Sequence, residues 1–118
     1  MADPALITEA ARKAGVLWIA APGRTAVPAW SVWRDGATWV LTGPGEQSLP
    51  GLAEAGTCEL AARSADTGGR IATWTATVTR VEPDTDEWRS VVPALTTARL
   101  NATPDWPTAT VLRLTPAG

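Results

Sequence analysis

The chain has 118 residues, a mass of 12.3 kDa, a formal net charge of −2 and an isoelectric point near 5.0. This length indicates a single domain over residues 1–118. A content of 45% hydrophobic and 19% charged residues excludes a wholly disordered chain. Because the balance is acidic and the arginines are scattered, we expect neither nucleic acid nor an anionic membrane as a partner.

The residue types that are rare or absent exclude several kinds of catalytic site. Histidine does not occur, and Cys58 is the one cysteine. A Ser–His–Asp triad, a His-ligated zinc ion and a His-ligated haem are therefore excluded, as is an internal disulfide. We expect no metal site, and we expect Cys58 to be an inert buried thiol. Any chemistry must come from a bound cofactor or from carboxylate, arginine, serine and threonine side chains.

The N-terminal residues predict a cytoplasmic protein. No basic segment followed by an apolar run precedes the first predicted helix, so no signal peptide is visible. The longest uncharged apolar run, Ala14–Pro22, is too short to span a bilayer.

The chain begins with a predicted helix and three predicted strands. Asp3 followed by Pro4 is typical of a helix start, and Gly15 is expected to end the helix. Its expected buried face consists of Leu6, Ile7, Ala10, Ala11 and Ala14. The strands follow over Val16–Ala20, Val27–Trp33 and Thr38–Thr42. Asp35-Gly36 is a strong hairpin signal between the second and third strands.

The C-terminal half predicts three more strands and a second helix. The elements are a loop over Gly43–Leu52, a short helix over Leu52–Ala55, strands over Thr57–Arg63 and Ile71–Val81, a helix starting at Pro83-Asp84, and a strand over Thr108–Leu114. Pro93 is expected to split or kink the helix. Six strands connected mainly as hairpins, with two short helices, predict a mainly β fold, a small closed or half-open antiparallel barrel.

Two segments can carry an anion-binding site. The Gly43–Leu52 loop contains three glycines and two prolines, which suit either an anion cradle or a plain connection between elements. Arg63 and Arg70 flank the Ser64–Gly69 turn, and a hairpin there brings them together. They can hold a phosphate or carboxylate, or they can be solvated charges at the rim with Asp66 as a partner.

The remaining candidate side chains carry less specific signals. Trp30 and Trp33 have opposite strand parity, so one should point into the barrel and the other outward, towards a groove or a subunit partner. The acidic residues show no paired spacing and are expected at the surface; they are Glu46, Glu54, Glu59 and Asp66.

The order of the elements resembles the FMN-binding split β-barrel, the fold of pyridoxamine 5′-phosphate oxidase-like proteins and of deazaflavin (F420)-dependent reductases. The resemblance covers residues 5–115. It is carried by the opening helix before Gly15–Ile19, the Val27–Thr42 hairpin, the Gly-rich loop, the long Arg70–Val81 strand and the Thr108–Leu114 strand. Three segments are similar to an actinobacterial branch of that superfamily: Trp30–Trp33, Gly45–Leu52 and Arg63–Arg70.

This resemblance implies a six-stranded antiparallel split barrel that forms a homodimer, with FMN or F420 in grooves at the dimer interface. The cofactor-binding positions that it implies are Ser31, Trp33, Thr42, Gly43, Gly45, Gln47 and Ser48. Many members have a lysine in the loop, where this chain has Glu46-Gln47-Ser48. Arg63 and Arg70 are expected to compensate by binding the cofactor phosphate.

The function implied by the resemblance is that of an oxidoreductase that transfers hydride to or from an unknown small molecule. The cofactor carries the hydride chemistry, which removes the need for histidine. The alternative is a non-catalytic split-barrel dimer that serves as a binding or interaction module.

Overall fold

The computed structural model describes residues 4–13, 16–43, 49, 51–63, 70–98 and 110–117. Its elements are α1 (Pro4–Lys13), β1 (Val16–Ala20), β2 (Val27–Trp30), β3 (Val32–Arg34), β4 (Ala37–Thr42), β5 (Thr57–Arg63), β6 (Arg70–Val81), α2 (Asp86–Ala98) and β7 (Thr110–Pro116). The strands form one sheet in the order β2-β1-β5-β6-β7-β4-β3, and every neighbouring pair is antiparallel.

The sheet closes on itself at Ser31. The two edge strands, β2 and β3, are consecutive in the chain and are separated by this one residue. Trp30 pairs with Val16 of β1, whereas Val32 pairs with Trp39 of β4. One interrupted strand therefore joins both edges and makes a nearly closed barrel. The predicted antiparallel barrel is confirmed. The strand count is corrected from six to seven, because the strand predicted over Val27–Trp33 breaks where it changes partners.

Two hydrophobic clusters lie on the two faces of this sheet. The larger one fills the barrel and includes Leu17, Leu60, Trp74 and Leu112. The smaller one lies between α2 and the outer face; its members are Ala37, Trp39, Leu41, Val81, Val91, Leu95 and Val111. Because neighbouring residues of a strand face opposite sides, β4 contributes to both clusters and is buried along most of its length.

The opposite parity of Trp30 and Trp33 is confirmed. Trp33 packs against the cluster inside the barrel, whereas Trp30 packs against the cluster beneath α2. Both rings are half-buried. The alternation of faces is thus maintained across the interruption at Ser31.

The second helix starts later than predicted. The hydroxyl of Thr85 accepts a hydrogen bond from the Trp88 amide at 3.2 Å, which makes Thr85 the N-cap. Asp84 cannot belong to the helix because its φ is 66°. Pro93 does not split α2, which runs unbroken from Asp86 to Ala98.

The predicted short helix over Leu52–Ala55 is wrong. The segment consists of two turns, in which the amides of Leu52 and Ala55 donate to the carbonyls of Leu49 and Leu52, both at 3.2 Å. Gly51, with a φ of 78°, interrupts any right-handed helix at this point.

The ends of α1 and β7 also differ from the prediction. Leu6 is 42% exposed and does not join the buried face of Ile7, Ala10 and Ala11. The last strand extends beyond Leu114 to Pro116, because Pro116 pairs with Ala76 of the long strand β6. The predictions for Asp3, Ala14, Gly15 and Thr108 concern residues outside the described ranges.

Candidate functional site

Thr42 and Gly43 lie where β4 enters the Gly-rich loop. β4, β7, β6 and β5 are successively antiparallel, so the end of β4 and the start of β5 at Thr57 lie at the same end of the sheet. Thr42 is half-buried. Gly43 has a φ of 133°, a backbone conformation that residues with a side chain rarely adopt. Gly45, Gln47 and Ser48, which complete the predicted loop site, lie outside the described residues.

Ser31 and Trp33 lie at the point where the barrel closes. Ser31 is half-buried between the two edge strands. The Trp33 ring packs against the barrel interior rather than against an outer groove. Its contacts are therefore those of a core residue, which the strand pattern alone does not reveal.

Arg63 and Arg70 are brought together, as the hairpin signal predicts. They are paired residues of β5 and β6, next to a register shift at Ala62 and Arg63. The Arg63 guanidinium lies over the Trp18 ring, 4.6 Å from its centre. Asp66 and the rest of the turn lie outside the described residues.

Strand pairing relates the arginine pair to the closure of the barrel. Thr57 and Arg63 are the two ends of β5, and six steps along a strand correspond to about 20 Å. The Gly-rich loop joins the Thr57 end. The register that pairs Trp18 with Ala61 brings Arg63 level with Val16, which pairs with Trp30, the residue before Ser31. Arg63 therefore lies at the end of β5 that is level with the closure point.

Arg24 is the cation that the structure places beside the Gly-rich loop, and the sequence interpretation missed it. A Cβ atom built on Gly51 would lie 2.8 Å from the Arg24 Nε atom. The positive φ is what favours glycine at this position, because the exposed and flexible Arg24 side chain can shift away from a Cβ atom. The Pro22-Gly23-Arg24 turn is visible in the sequence, but its contact with a distant loop depends on how the barrel closes.

Arg24 also borders a small cavity, which we call the barrel-end pocket. Its volume is about 110 Å³, and it is lined by Ile19, Ala21, Arg24, Thr25, Val27, Leu49 and Leu52. Ile19, Ala21, Leu49 and Leu52 are each at most 8% exposed, so the pocket reaches the edge of the barrel core.

A second cavity, the α2 cleft, lies between α2 and the outer face of the barrel. Its volume is about 220 Å³, and it is lined by Asp35, Trp39, Glu87, Ser90, Val91 and Arg113. Arg113 donates a hydrogen bond to the Glu87 carboxylate, and its guanidinium lies 6.0 Å from the centre of the Trp39 ring. The indole N–H of Trp39 donates to the Arg34 carbonyl at 2.8 Å. The Arg113 Nε atom is buried and has no hydrogen-bond partner in the structure.

The acidic candidates form no general acid–base site in the described part of the chain. Glu54 and Glu59 are exposed, and Glu59 accepts a hydrogen bond from the Thr75 hydroxyl at 2.8 Å. Glu46 and Asp66 lie outside the described residues. Over the ranges that are described, no three His, Cys, Asp or Glu residues lie close enough together to hold a metal ion.

Cys58 lies in the barrel interior and is 2% exposed, which confirms the predicted buried thiol. Burial in the apolar core, and secondarily the neighbouring Glu59 carboxylate, raises its pKa to about 12. The thiol therefore stays protonated, and unreactive as a nucleophile, at neutral pH.

Several solved structures superpose on nearly the whole chain. A pyridoxamine 5′-phosphate oxidase-like protein from Listeria innocua has a TM-score of 0.67 at 12% identity, over 98% of this chain and 94% of that one. An FAD- and haem-binding protein from Mycobacterium smegmatis has a TM-score of 0.63 at 18% identity, over 99% of this chain and 68% of that one. An F420 reductase has a TM-score of 0.58 at 11% identity, over 93% of this chain and 92% of that one. The fold is the split β-barrel.

The similarity of this split barrel to known proteins lies in its fold. No family model matches the sequence, and no curated protein sequence matches it significantly. Among the described residues of the split barrel, no helix is long and apolar enough to cross a membrane.

Proposed function

We propose that this split barrel binds a flavin or deazaflavin (F420) cofactor and acts as an oxidoreductase on a small molecule in the cytoplasm. The observation that supports this most strongly is the superposition of nearly the whole chain on proteins whose names state FAD or F420. A bound cofactor of this class supplies hydride transfer, while the protein supplies binding and orientation. One of those names also states haem. This chain contains no histidine, so it cannot provide a histidine ligand to a haem iron.

The residues at the end of β4 fit the phosphate of such a cofactor. Thr42 offers a hydroxyl, and Gly43 offers a backbone that can approach an anion closely because no side chain intervenes. Gly45, Gln47 and Ser48 belong to the same proposed site. Ser31 and Trp33 contribute at the closure of the barrel, where Trp33 fixes one wall by packing on the core.

Arg63 and Arg70 are paired residues of β5 and β6, at the end of β5 away from Thr57. We propose a homodimer with a composite phosphate site, in which the arginine pair of one copy neutralises the cofactor phosphate held by the loop of the other.

The outer face of β1 and β2 supports such a dimer. Val16 is 51% exposed, and it shares this face with the half-buried Trp18 ring. Pro28, which pairs with Trp18, is exposed as well. An exposed apolar strip of this kind often marks a protein interface.

Equilibrium titration of the purified protein with FMN, FAD and F420 tests the proposal. Wild type should bind at least one of them, and a visible absorption spectrum that is released on denaturation would identify a copurified flavin. We expect cofactor binding to weaken by about tenfold to a hundredfold in each of three variants: Thr42→Val, Arg63→Ala and Arg70→Ala. The upper end of this range corresponds to the loss of one charge-assisted hydrogen bond. Arg12→Gln, on the exposed face of α1, is the control and should bind like wild type.

The outcomes separate the alternatives. If no cofactor binds at tens of micromolar, the oxidoreductase proposal fails and the non-catalytic binding or interaction module replaces it. If Thr42→Val weakens binding but both arginine variants match wild type, the groove is correct and the composite phosphate site is wrong. Light scattering of 12.3 kDa across micromolar concentrations would contradict the homodimer.

A further inference from the structure

The barrel-end pocket has a property that a plain packing defect lacks, namely an apolar floor beneath a single charge. Its floor consists of Ile19 and Leu52, which are 2% and 1% exposed. Arg24 and Thr25 are exposed at its rim. A cavity of about 150 Å³ in a protein core accommodates benzene, and this pocket of about 110 Å³ suits a smaller group, such as a short branched alkyl chain.

The Arg24 side chain is positioned but not neutralised. Its backbone amide donates to the Ala21 carbonyl at 3.0 Å, which closes the turn between β1 and β2. Its guanidinium lies against Gly51, where any side chain would displace it. Among the contacts of the described residues, the Arg24 guanidinium has no hydrogen bond and no ion pair.

The charge around the pocket favours an anion. Within the described part of the chain, no aspartate or glutamate lines this cavity, and Arg24 is the one charged residue of the lining. A guanidinium binds a carboxylate through two parallel hydrogen bonds, which fixes the orientation of the ligand as well as its charge.

We propose that the barrel-end pocket is a binding site for a small monocarboxylate, with its short alkyl group on the floor of Ile19 and Leu52 and its carboxylate on Arg24. The pocket shares the Gly43–Leu52 loop with the proposed cofactor site through Leu49 and Leu52, but Ser31, Trp33, Thr42 and Arg63 are not part of its described lining. The proposal does not require that a cofactor binds. Inorganic phosphate shares the negative charge but has no apolar part to fill the floor, so the proposal favours the carboxylate.

Calorimetric titration with isovalerate tests the site, with isovaleramide as an uncharged ligand of the same shape. Isovalerate should bind wild type with a dissociation constant on the order of 1 mM, as expected for a ligand of this size. Isovaleramide should bind at least about tenfold more weakly, because it lacks the charge-assisted contact. Arg24→Gln should weaken isovalerate binding by about the same factor, whereas Arg12→Gln should leave it unchanged.

A second variant tests the apolar floor separately from the charge. Ala21→Leu places extra methyl groups in the pocket and should weaken isovalerate binding while leaving the weak binding of phosphate unchanged. Circular dichroism verifies that each variant is folded. The proposal is overturned if wild type does not bind isovalerate at about 20 mM. It is also overturned if Arg24→Gln binds isovalerate as tightly as wild type does, or if wild type binds isovaleramide or phosphate as tightly as isovalerate.

Discussion

The guanidinium of Arg63 is stacked on the ring of Trp18, 4.6 Å from its centre, on the outer face of the barrel. The strand register explains the contact. Trp18 pairs with Ala61, and Arg63 is two residues further along β5 on the same face. The backbone of Arg63 also pairs with that of Arg70 across the hairpin. Stacking on Trp18 gives the Arg63 charge a favourable partner.

Replacing Arg63 should therefore cost stability through Trp18. We expect Arg63→Gln to lower the free energy of unfolding by about 0.5–1 kcal/mol, the range for an exposed cation–π contact. In a double-mutant cycle with Trp18→Leu, the coupling energy should have the same size. A coupling near zero, measured by denaturant unfolding, would show that the stacked geometry contributes nothing to stability.

The turn between β3 and β4 provides a test of backbone strain with an internal control. Asp35 and Gly36 have φ values of 52° and 75°, which is the pattern of a type I′ hairpin turn. Gly36→Ala should lower the unfolding free energy by about 1 kcal/mol. A Cβ at this position meets nothing within 4 Å, so the loss would come from the positive φ alone.

Gly56→Ala is the matched control. A Cβ at Gly56 also meets nothing within 4 Å, but no positive φ occurs there. This substitution should raise the unfolding free energy by about 0.4–1 kcal/mol, because alanine restricts the unfolded chain. If both variants change stability in the same direction, backbone conformation does not explain the difference between the two sites.

The strands and the β3–β4 hairpin could be predicted because each depends on local signals. Runs of apolar or alternating residues predict β1, β5 and β6. The Asp-Gly pair predicts the turn, because this dipeptide is preferred in two-residue hairpin loops. The break at Ser31 could not be predicted in this way. It arises because β2 pairs with β1 whereas β3 pairs with β4, and these are long-range choices of partner.

The candidate site was predicted less well than the fold for the same reason. The sequence shows that Arg63 and Arg70 flank one turn, and the structure pairs them. It does not show that Arg24 packs against Gly51. That contact follows from the closure of the split barrel.

Thr38 is a place where removing a polar atom should stabilise the protein. It is 1% exposed, and its hydroxyl finds no hydrogen-bond partner in the structure. A buried hydroxyl without a partner costs about 1–3 kcal/mol. Thr38→Val keeps the shape and removes the hydroxyl, so the unfolding free energy should rise by about 1 kcal/mol or more.

The control for Thr38 is the variant that keeps the hydroxyl and removes a methyl group. Thr38→Ser should lower the unfolding free energy by about 1 kcal/mol, the cost of losing one buried methyl group. Thermal unfolding of both variants measures the difference. A Thr38→Val protein less stable than wild type would mean that the hydroxyl has a bonding partner after all.

The pH dependence of stability above neutrality should be governed by Cys58. Burial raises its pKa from the usual value of 9.0 to about 12 in the folded chain. As pH rises past 9, the unfolded chain loses this proton first, so the unfolded state is favoured. The contribution of the protonated Cys58 thiol to the free energy of unfolding is complete below pH 9 and is lost as pH rises towards 12. The free energy of unfolding should fall by up to about 1.4 kcal/mol per pH unit in this window.

Comparison with Cys58→Ala isolates this effect. The chain has no tyrosine, and Lys13 is its one lysine, so few other side chains titrate in the same window. The substitution should lower stability at pH 7, because it leaves a small cavity in the barrel. Between pH 9 and 10.5, wild type should lose about 1.5 kcal/mol more than the variant in denaturant unfolding. Parallel pH profiles for the two proteins would mean that the Cys58 thiol ionises as easily in the folded barrel as in the unfolded chain.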